Sequence, residues 1–389
     1  MGSDMSPGGS GFVGAATALL ILSILASGAH GRAAGAAGAA RAGAAGAVGV
    51  RPVTRPGLHT EGPVWYESDR GDRGLLFVDI AGHLLNFYDP AKDVVHSVAF
   101  DGDVTLVRPL QGDNLVVAVG RELRVLDWAA SNFSALLPVR WPPVVLAAVE
   151  QDKPGNRFND GNVDSRGRVW AGTMGPEPVV GHVEDDQAAL YRVTPHADGS
   201  PARRDPLSPH SADVDTVLAP VSISNGLLWS LDETLMYYID TPTRRVDVFD
   251  FDVVRGEIAN RRPAFDFAAN NITGNPDGMT IDADGNLWVA CFGGSQVIQV
   301  DPRDGRLLRA VPVPASQVTS AALGEPKDAS GGDTLYVTSM RKGLSDEELR
   351  LEPHAGAVFA VTGLGVRGAW RQKRRPGHDT PPPDVKPSD

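Results

Sequence analysis

Short apolar strands separated by polar turns recur along this chain with a long period. Their cores read Leu76-Phe77-Val78, Leu115-Val116-Val117, Val169-Trp170-Ala171, Met236-Tyr237-Tyr238, Leu287-Trp288-Val289 and Leu335-Tyr336-Val337. Polar turns precede them, among these Gly71-Asp72-Arg73-Gly74, Gly112-Asp113-Asn114, Asp164-Ser165-Arg166-Gly167, Asp282-Ala283-Asp284-Gly285 and Gly332-Asp333. From Phe77 to Tyr336 the mean spacing is about 52 residues, and self-similarity of that kind marks a repeat architecture. Between the cores, Arg245 to Asp252 and Gln296 to Pro302 alternate with period two, the signature of half-buried strands. No amphipathic helix longer than two turns is expected. Fifty-odd residues hold four short strands with their turns, which is one propeller blade. Six copies predict an all-β, six-bladed β-propeller, since a linear β-solenoid would have shorter repeats and a tighter period. In a closed ring the equivalent strand ends converge on one axis, and a site would lie there.

Four strands that precede these cores open with a polar residue: Glu61, Asn159, Asn225 and Asp277. The last three lie 11 or 12 residues ahead of their strand centres; Glu61 lies further ahead because its hairpin, Ser68 to Gly74, is longer. Any one of them alone reads as a turn former. Four in register, two carboxylates and two amides, make a hard-oxygen set suited to Ca²⁺, Mg²⁺ or Mn²⁺ and able to hold Zn²⁺ or Fe²⁺.

Composition fits this picture. In 389 residues, 42% hydrophobic content is ample for a core, and 44 Gly with 30 Pro suit a turn-rich β protein. The net charge of −12 is spread along the chain, which argues against nucleic acid as the main partner and favours cations or neutral small molecules. Cys291 is the one cysteine, so no disulfide can form within the chain; its place in an apolar run predicts a buried structural thiol.

Residues 1–50 read as a signal-like apolar segment and a Gly/Ala-rich linker. The run Ala18 to Ala26 followed by Ser27-Gly28-Ala29 has the form of a secretory h-region, but Asp4 precedes it and no Lys or Arg does. It is short for a membrane span, so no stable span is expected in the mature domain. A secreted or ER-lumenal location follows if the segment acts as a signal and a cytoplasmic one if not; the sequons at Asn132 and Asn271 matter only in the first case. The propeller is expected over residues 53–368, and 369–389 form a basic, then Pro-rich tail. A monomer is expected.

Other motifs fail. Asp282-Ala283-Asp284-Gly285 begins like an EF-hand loop, but its twelfth position is Gly293 where a bidentate Glu is required, so it reads as a hairpin turn. The nine His show no H-E-x-x-H spacing, and no Gly-x-Ser-x-Gly elbow is present.

Glu61-Gly62-Pro63-Val64-Trp65, Asn156-Arg157-Phe158-Asn159-Asp160-Gly161-Asn162-Val163-Asp164, Ala171-Gly172-Thr173-Met174, Ile223-Ser224-Asn225-Gly226-Leu227-Leu228-Trp229-Ser230 and Pro276-Asp277-Gly278-Met279 occur in that order. Together they resemble the signatures of the regucalcin (senescence marker protein)/gluconolactonase family. The resemblance covers about Pro56 to Gly368, and it implies one divalent metal in a propeller channel and lactonase activity on sugar lactones. It makes Glu61, Asn225 and Asp277 the metal ligands, with Asp277 also the proton donor and acceptor. Arg157 and Asn159 would bind substrate, Asn159 reaching the metal through water, and Glu177 would contact substrate from the loop Gly175 to Asp186. In the sixth repeat Thr319 to Leu323 replaces a segment that in the family usually carries Cys. The second and sixth repeats are expected to be scaffold.

Lactone hydrolysis needs a polarised carbonyl, an activated water and a stabilised oxyanion, which a divalent cation beside a carboxylate can supply. Arg157 adds a fork of donors for a polyhydroxylated substrate or a product carboxylate. The alternatives are a calcium-binding regulatory protein of the regucalcin type with little or no turnover, and a propeller hydrolase of phosphotriesters or aryl esters. The latter would need a second structural calcium and a His near the mouth, and the motifs contain no such His.

Overall fold

A computed structural model describes residues 47–68, 71–110, 114–128, 143–196, 212–325 and 332–369. The signal-like segment, the sequon at Asn132 and the tail after residue 369 lie outside them. Six four-stranded antiparallel sheets make up the described chain. Five are simple meanders in chain order; the first, for example, runs Thr60–Glu67, Arg73–Asp79, Leu84–Asp89 and Val94–Ala99. In the sixth, Val318–Gly324, Thr334–Ser339 and Phe359–Thr362 are joined at the outer edge by Gly49–Pro52, which precedes the first blade, paired Gly49 to Thr362 and Pro52 to Phe359. Gly49–Pro52 therefore begins inside the stretch read as linker and closes the ring. The fold is the expected six-bladed propeller. Among the described residues the one α-helix is Asp346–Leu351, started by a reciprocal cap in which Ser345 and Glu348 bond each other's backbone N–H. No helix among them is long and apolar enough to cross a membrane.

The first strand of each blade faces the axis. These are Thr60–Glu67, Val104–Pro109, Arg157–Val163, Ser224–Trp229, Asn275–Ile281 and Val318–Gly324, each touching the corresponding strand on either side, so that the ring is continuous. The apolar cores found in the sequence are the second strands, which pack into the layers between blades. Two turns tie those layers down in the same way. Asp164 accepts Trp170 Nε1 at 3.0 Å and Arg168 Nε at 2.6 Å, and Asp282 accepts Trp288 Nε1 at 3.0 Å and Gln299 Nε2 at 2.7 Å. Both Trp rings are fully buried, and each indole N–H needs this acceptor. Asp282-Ala283-Asp284-Gly285 is thus the hairpin turn its sequence indicated. Cys291 is buried, and desolvation pushes its thiol up to about 12.

Every inner strand carries a register shift against its neighbour, and the shifts are of two kinds. In blades 1, 3, 4 and 5 two residues oppose one, between Glu61 and Val64, Phe158 and Gly161, Ser224 and Leu227, and Pro276 and Met279. In blades 2 and 6 a single extra residue is inserted, between Val104 and Leu106 and between Val318 and Ser320. Bulges re-aim side chains at the rims of closed sheets. All four polar openers found in the sequence lie in, or at the start of, the two-against-one bulges.

Candidate metal centre and cleft

The bulges need small residues. Gly62 sits at φ +58°, left-handed space that a β-carbon disfavours. A β-carbon on Gly278 would lie within about 2.0 Å of Ser320 Oγ in the next blade, so the chain beside Asp277 can approach its neighbour only without one. The backbone thereby presents Glu61, Asn225 and Asp277 toward the axis, with 6%, 4% and 9% of their surfaces exposed.

These side chains form one electrostatic unit. Burial pushes Glu61 up to about 8, helped by the charge of Asp160, while Gly62 N–H, Arg108 and the Ser320 hydroxyl pull the other way. Asp277 is held well above the usual carboxylate range, first by burial and then by Glu61 and Asp160; the amide of Asn225 opposes this. Asn225 donates Nδ2 to Thr241 Oγ1 at 2.9 Å, and its Oδ1 is buried with no hydrogen-bond partner among the described residues. Buried carboxylates that repel one another, together with an orphaned amide oxygen, are the donor set a hard divalent cation requires. The residues fit such an ion. Among the described residues no three His, Cys, Asp or Glu side chains come together as a metal cluster, so any such site depends on the amide.

The other residues singled out in the sequence lie at the edge of this set. Arg157 Nη1 donates to Asn159 Oδ1 at 2.7 Å and to Phe158 O at 3.0 Å, and Asn159 Nδ2 donates to Ser224 O at 2.8 Å. Arg157 and Glu177 line an open cleft of about 600 Å³ that also contains His59 and Lys342. Glu177 Oε1 accepts Gly181 N at 2.8 Å, which folds its loop back on itself. The charge of Glu177 reaches both Arg157 and Asp277.

Several residues at the site carried no clear sequence signal. Arg108, from blade 2, is buried; its Nη2 donates to Asp160 Oδ1 at 3.0 Å and its Nη1 to Gly62 O at 3.0 Å. Ser320, from blade 6, hydrogen-bonds Glu61. Blades 2 and 6, expected to be scaffold, thus each place a side chain among these carboxylates. Asp160 stands beside Asn159 in an Asn-Asp-Gly run that reads as a turn, and Arg108 is a lone charge in an otherwise apolar strand. The structure also supplies a histidine at the mouth that the motifs lack. His59 is half-buried, and burial with the charges of Arg157 and Lys342 holds its ring down to about 3, so it is neutral at physiological pH.

Residues 59–341 match the family described as the SMP-30/Gluconolactonase/LRE-like region. Human regucalcin is 38% identical over 308 residues, which span 79% of this chain and 92% of that protein. A solved luciferin-regenerating enzyme superposes with a TM-score of 0.70 at 33% identity, covering 82% of this chain and 97% of the other. The structure of regucalcin from Agrobacterium tumefaciens, described as a calcium-binding protein, gives 0.66 at 26% identity over 82% and 95% of the two chains. With the family match spanning most of the chain and the propeller architecture in common, this chain belongs to the SMP-30/gluconolactonase/LRE-like family.

Proposed function

We propose that the protein is a divalent-metal-dependent lactonase that opens sugar lactones, with Glu61, Asn225 and Asp277 holding the ion. The observation that carries this reading is the orphaned, buried Oδ1 of Asn225 beside two buried carboxylates, next to a cleft that holds Arg157 and Glu177. A divalent cation bound there supplies carbonyl polarisation and a lowered water pKa. Asp277, a buried carboxylate at the ion, accepts a proton from the attacking water and returns it to the ring oxygen as the carbonyl–oxygen bond of the lactone breaks. The products balance as one hydroxy acid from one lactone and one water. Arg157, oriented by Asn159, offers its remaining guanidinium donors to substrate hydroxyls or to the product carboxylate. Glu177 contacts the same molecule from the cleft wall.

The test is hydrolysis of glucono-1,5-lactone by chelator-treated protein after separate return of Ca²⁺, Mg²⁺, Mn²⁺, Zn²⁺ or Fe²⁺, with Asp277→Asn beside it. Turnover restored by a cation in the wild type and lost in the variant supports the proposal; turnover that ignores both cation and variant sinks it. A second reading, calcium binding with little turnover, draws on the calcium-binding description of the Agrobacterium relative. Tight Ca²⁺ uptake without hydrolysis of any lactone would select it.

A further inference from the structure

Arg108 is a guanidinium placed among carboxylates in the channel, and it is fixed there. It is 8% exposed, and three bonds hold it: Nη1 to Val107 O at 2.8 Å and to Gly62 O at 3.0 Å, and Nη2 to Asp160 Oδ1 at 3.0 Å. Asp160 Oδ1 also accepts Gly161 N at 2.7 Å. Both contacts fall on Oδ1. Asp160 lies close enough for its charge to act on Glu61 and on Asp277. The other nearby guanidinium, Arg157, belongs to the cleft: the carboxylates that act on it most are Asp103 and Glu177, ahead of Glu61 and Asp277.

Within reach of one another's charge, the channel therefore holds the buried carboxylates Glu61, Asp160 and Asp277 and one guanidinium, a net charge of −2 when all are ionised, which matches the charge of one divalent cation. We propose that Arg108 is a built-in counter-ion that limits the channel to one divalent cation by neutralising Asp160. This rests on the reading of Glu61, Asn225 and Asp277 as a cation site. Arg108 is a positioning residue, since it acts through Asp160 and through the Gly62 carbonyl next to Glu61.

The experiment is calorimetric titration of chelator-stripped, full-length protein with Ca²⁺ alone, reading stoichiometry and Kd. The wild type takes up one Ca²⁺. Arg108→Met removes the positive charge, and we expect it to tighten the first Ca²⁺ by about tenfold and to admit a second, because a charge within ~4–6 Å of a site is worth at least that much. Asp160→Asn, which lowers the net charge to −1, weakens Ca²⁺ by about tenfold for the same reason. The double variant restores −2 and returns toward the wild-type value. A purely structural pair would weaken binding in all three variants, and that result, or three affinities unchanged, overturns the proposal. If Arg108→Met does not fold, the double variant against Asp160→Asn still decides it: tighter binding in the double supports the counter-ion, and equal or weaker binding refutes it. A wild type that takes up no Ca²⁺ overturns the cation reading itself, whereas one Ca²⁺ bound with the wrong pattern among the variants overturns only the role of Arg108.

Discussion

Asn225 and Thr241 are joined by a hydrogen bond of 2.9 Å from the amide Nδ2 to the threonine Oγ1, and Thr241 Oγ1 in turn donates to Pro276 O at 3.0 Å. The threonine thus links the blade that bears Asn225 to the residue before Asp277 and fixes which face of the amide turns to the axis. Thr241→Val keeps the shape and removes the link. Outer partners of a ligand are commonly worth ~10-fold or more in metal affinity, so Ca²⁺ binding should weaken by about that factor while the fold persists. Equilibrium dialysis at one pH, with the melting temperature as a control, measures it.

The metal-free protein should lose stability as the pH rises. Glu61 titrates near 4.5 when exposed and near 8 in the fold, and Asp277 is raised in the same sense. Across that interval the folded state carries more protons than the unfolded one, so the free energy of unfolding falls with increasing pH. In chelator, the melting temperature should drop by roughly 5 °C or more between pH 5 and pH 8. A bound divalent cation replaces the protons, so the stabilisation by Ca²⁺ should be larger at pH 8 than at pH 5. Calorimetric scans with and without Ca²⁺ test both statements; a flat or rising metal-free profile contradicts them.

The propeller was legible because its repeat is imposed by packing: each second strand must be apolar on both faces to fill the layers between blades, and Leu76, Trp170 and Leu335 show it. That Glu61, Asn225 and Asp277 converge was legible because the same bulge recurs in four blades and turns equivalent positions to the axis, so the polar residues there stand in register along the sequence. Arg108 and Ser320 left no such mark. They reach the axis from blades with the single-residue bulge, and their roles come from contacts across blades, with Gly62 and Asp160 and with Glu61, at sequence separations no local pattern encodes. The closing strand Gly49–Pro52 was hidden for a related reason: a four-residue edge strand next to a Gly/Ala-rich run has too little alternation to be seen.

Asp282 offers a structural control remote in role from the metal set. It is 1% exposed and receives the backbone N–H of Asp284 and Asn286 as well as Trp288 Nε1 and Gln299 Nε2. Asp282→Ala leaves the buried Asn286 N–H, Trp288 Nε1 and Gln299 Nε2 without this acceptor, at about 1–3 kcal/mol each before relaxation, so a loss of roughly 3 kcal/mol or more is expected. Denaturant unfolding gives the number. Ca²⁺ affinity of the fraction that remains folded should be unchanged, which separates the hairpin turn from a calcium loop.

Removal of the closing strand tests how the ring is held. Gly49–Pro52 pairs along Phe359–Thr362, and Val50 packs against the core between blades 5 and 6. A chain starting at residue 53 loses that ladder and leaves Phe359–Thr362 as an unpaired edge, while a chain starting at residue 47 keeps both. A few hydrogen bonds at about 1 kcal/mol each, with the burial of Val50 at about 1–2 kcal/mol, place the cost near 4–6 kcal/mol. An exposed strand edge also templates pairing with another chain. The shorter chain should therefore melt lower and associate with rising concentration, seen by light scattering, whereas the longer one should do neither. Equal melting temperatures and equal scattering would mean that the contacts between the inner strands alone hold the ring shut.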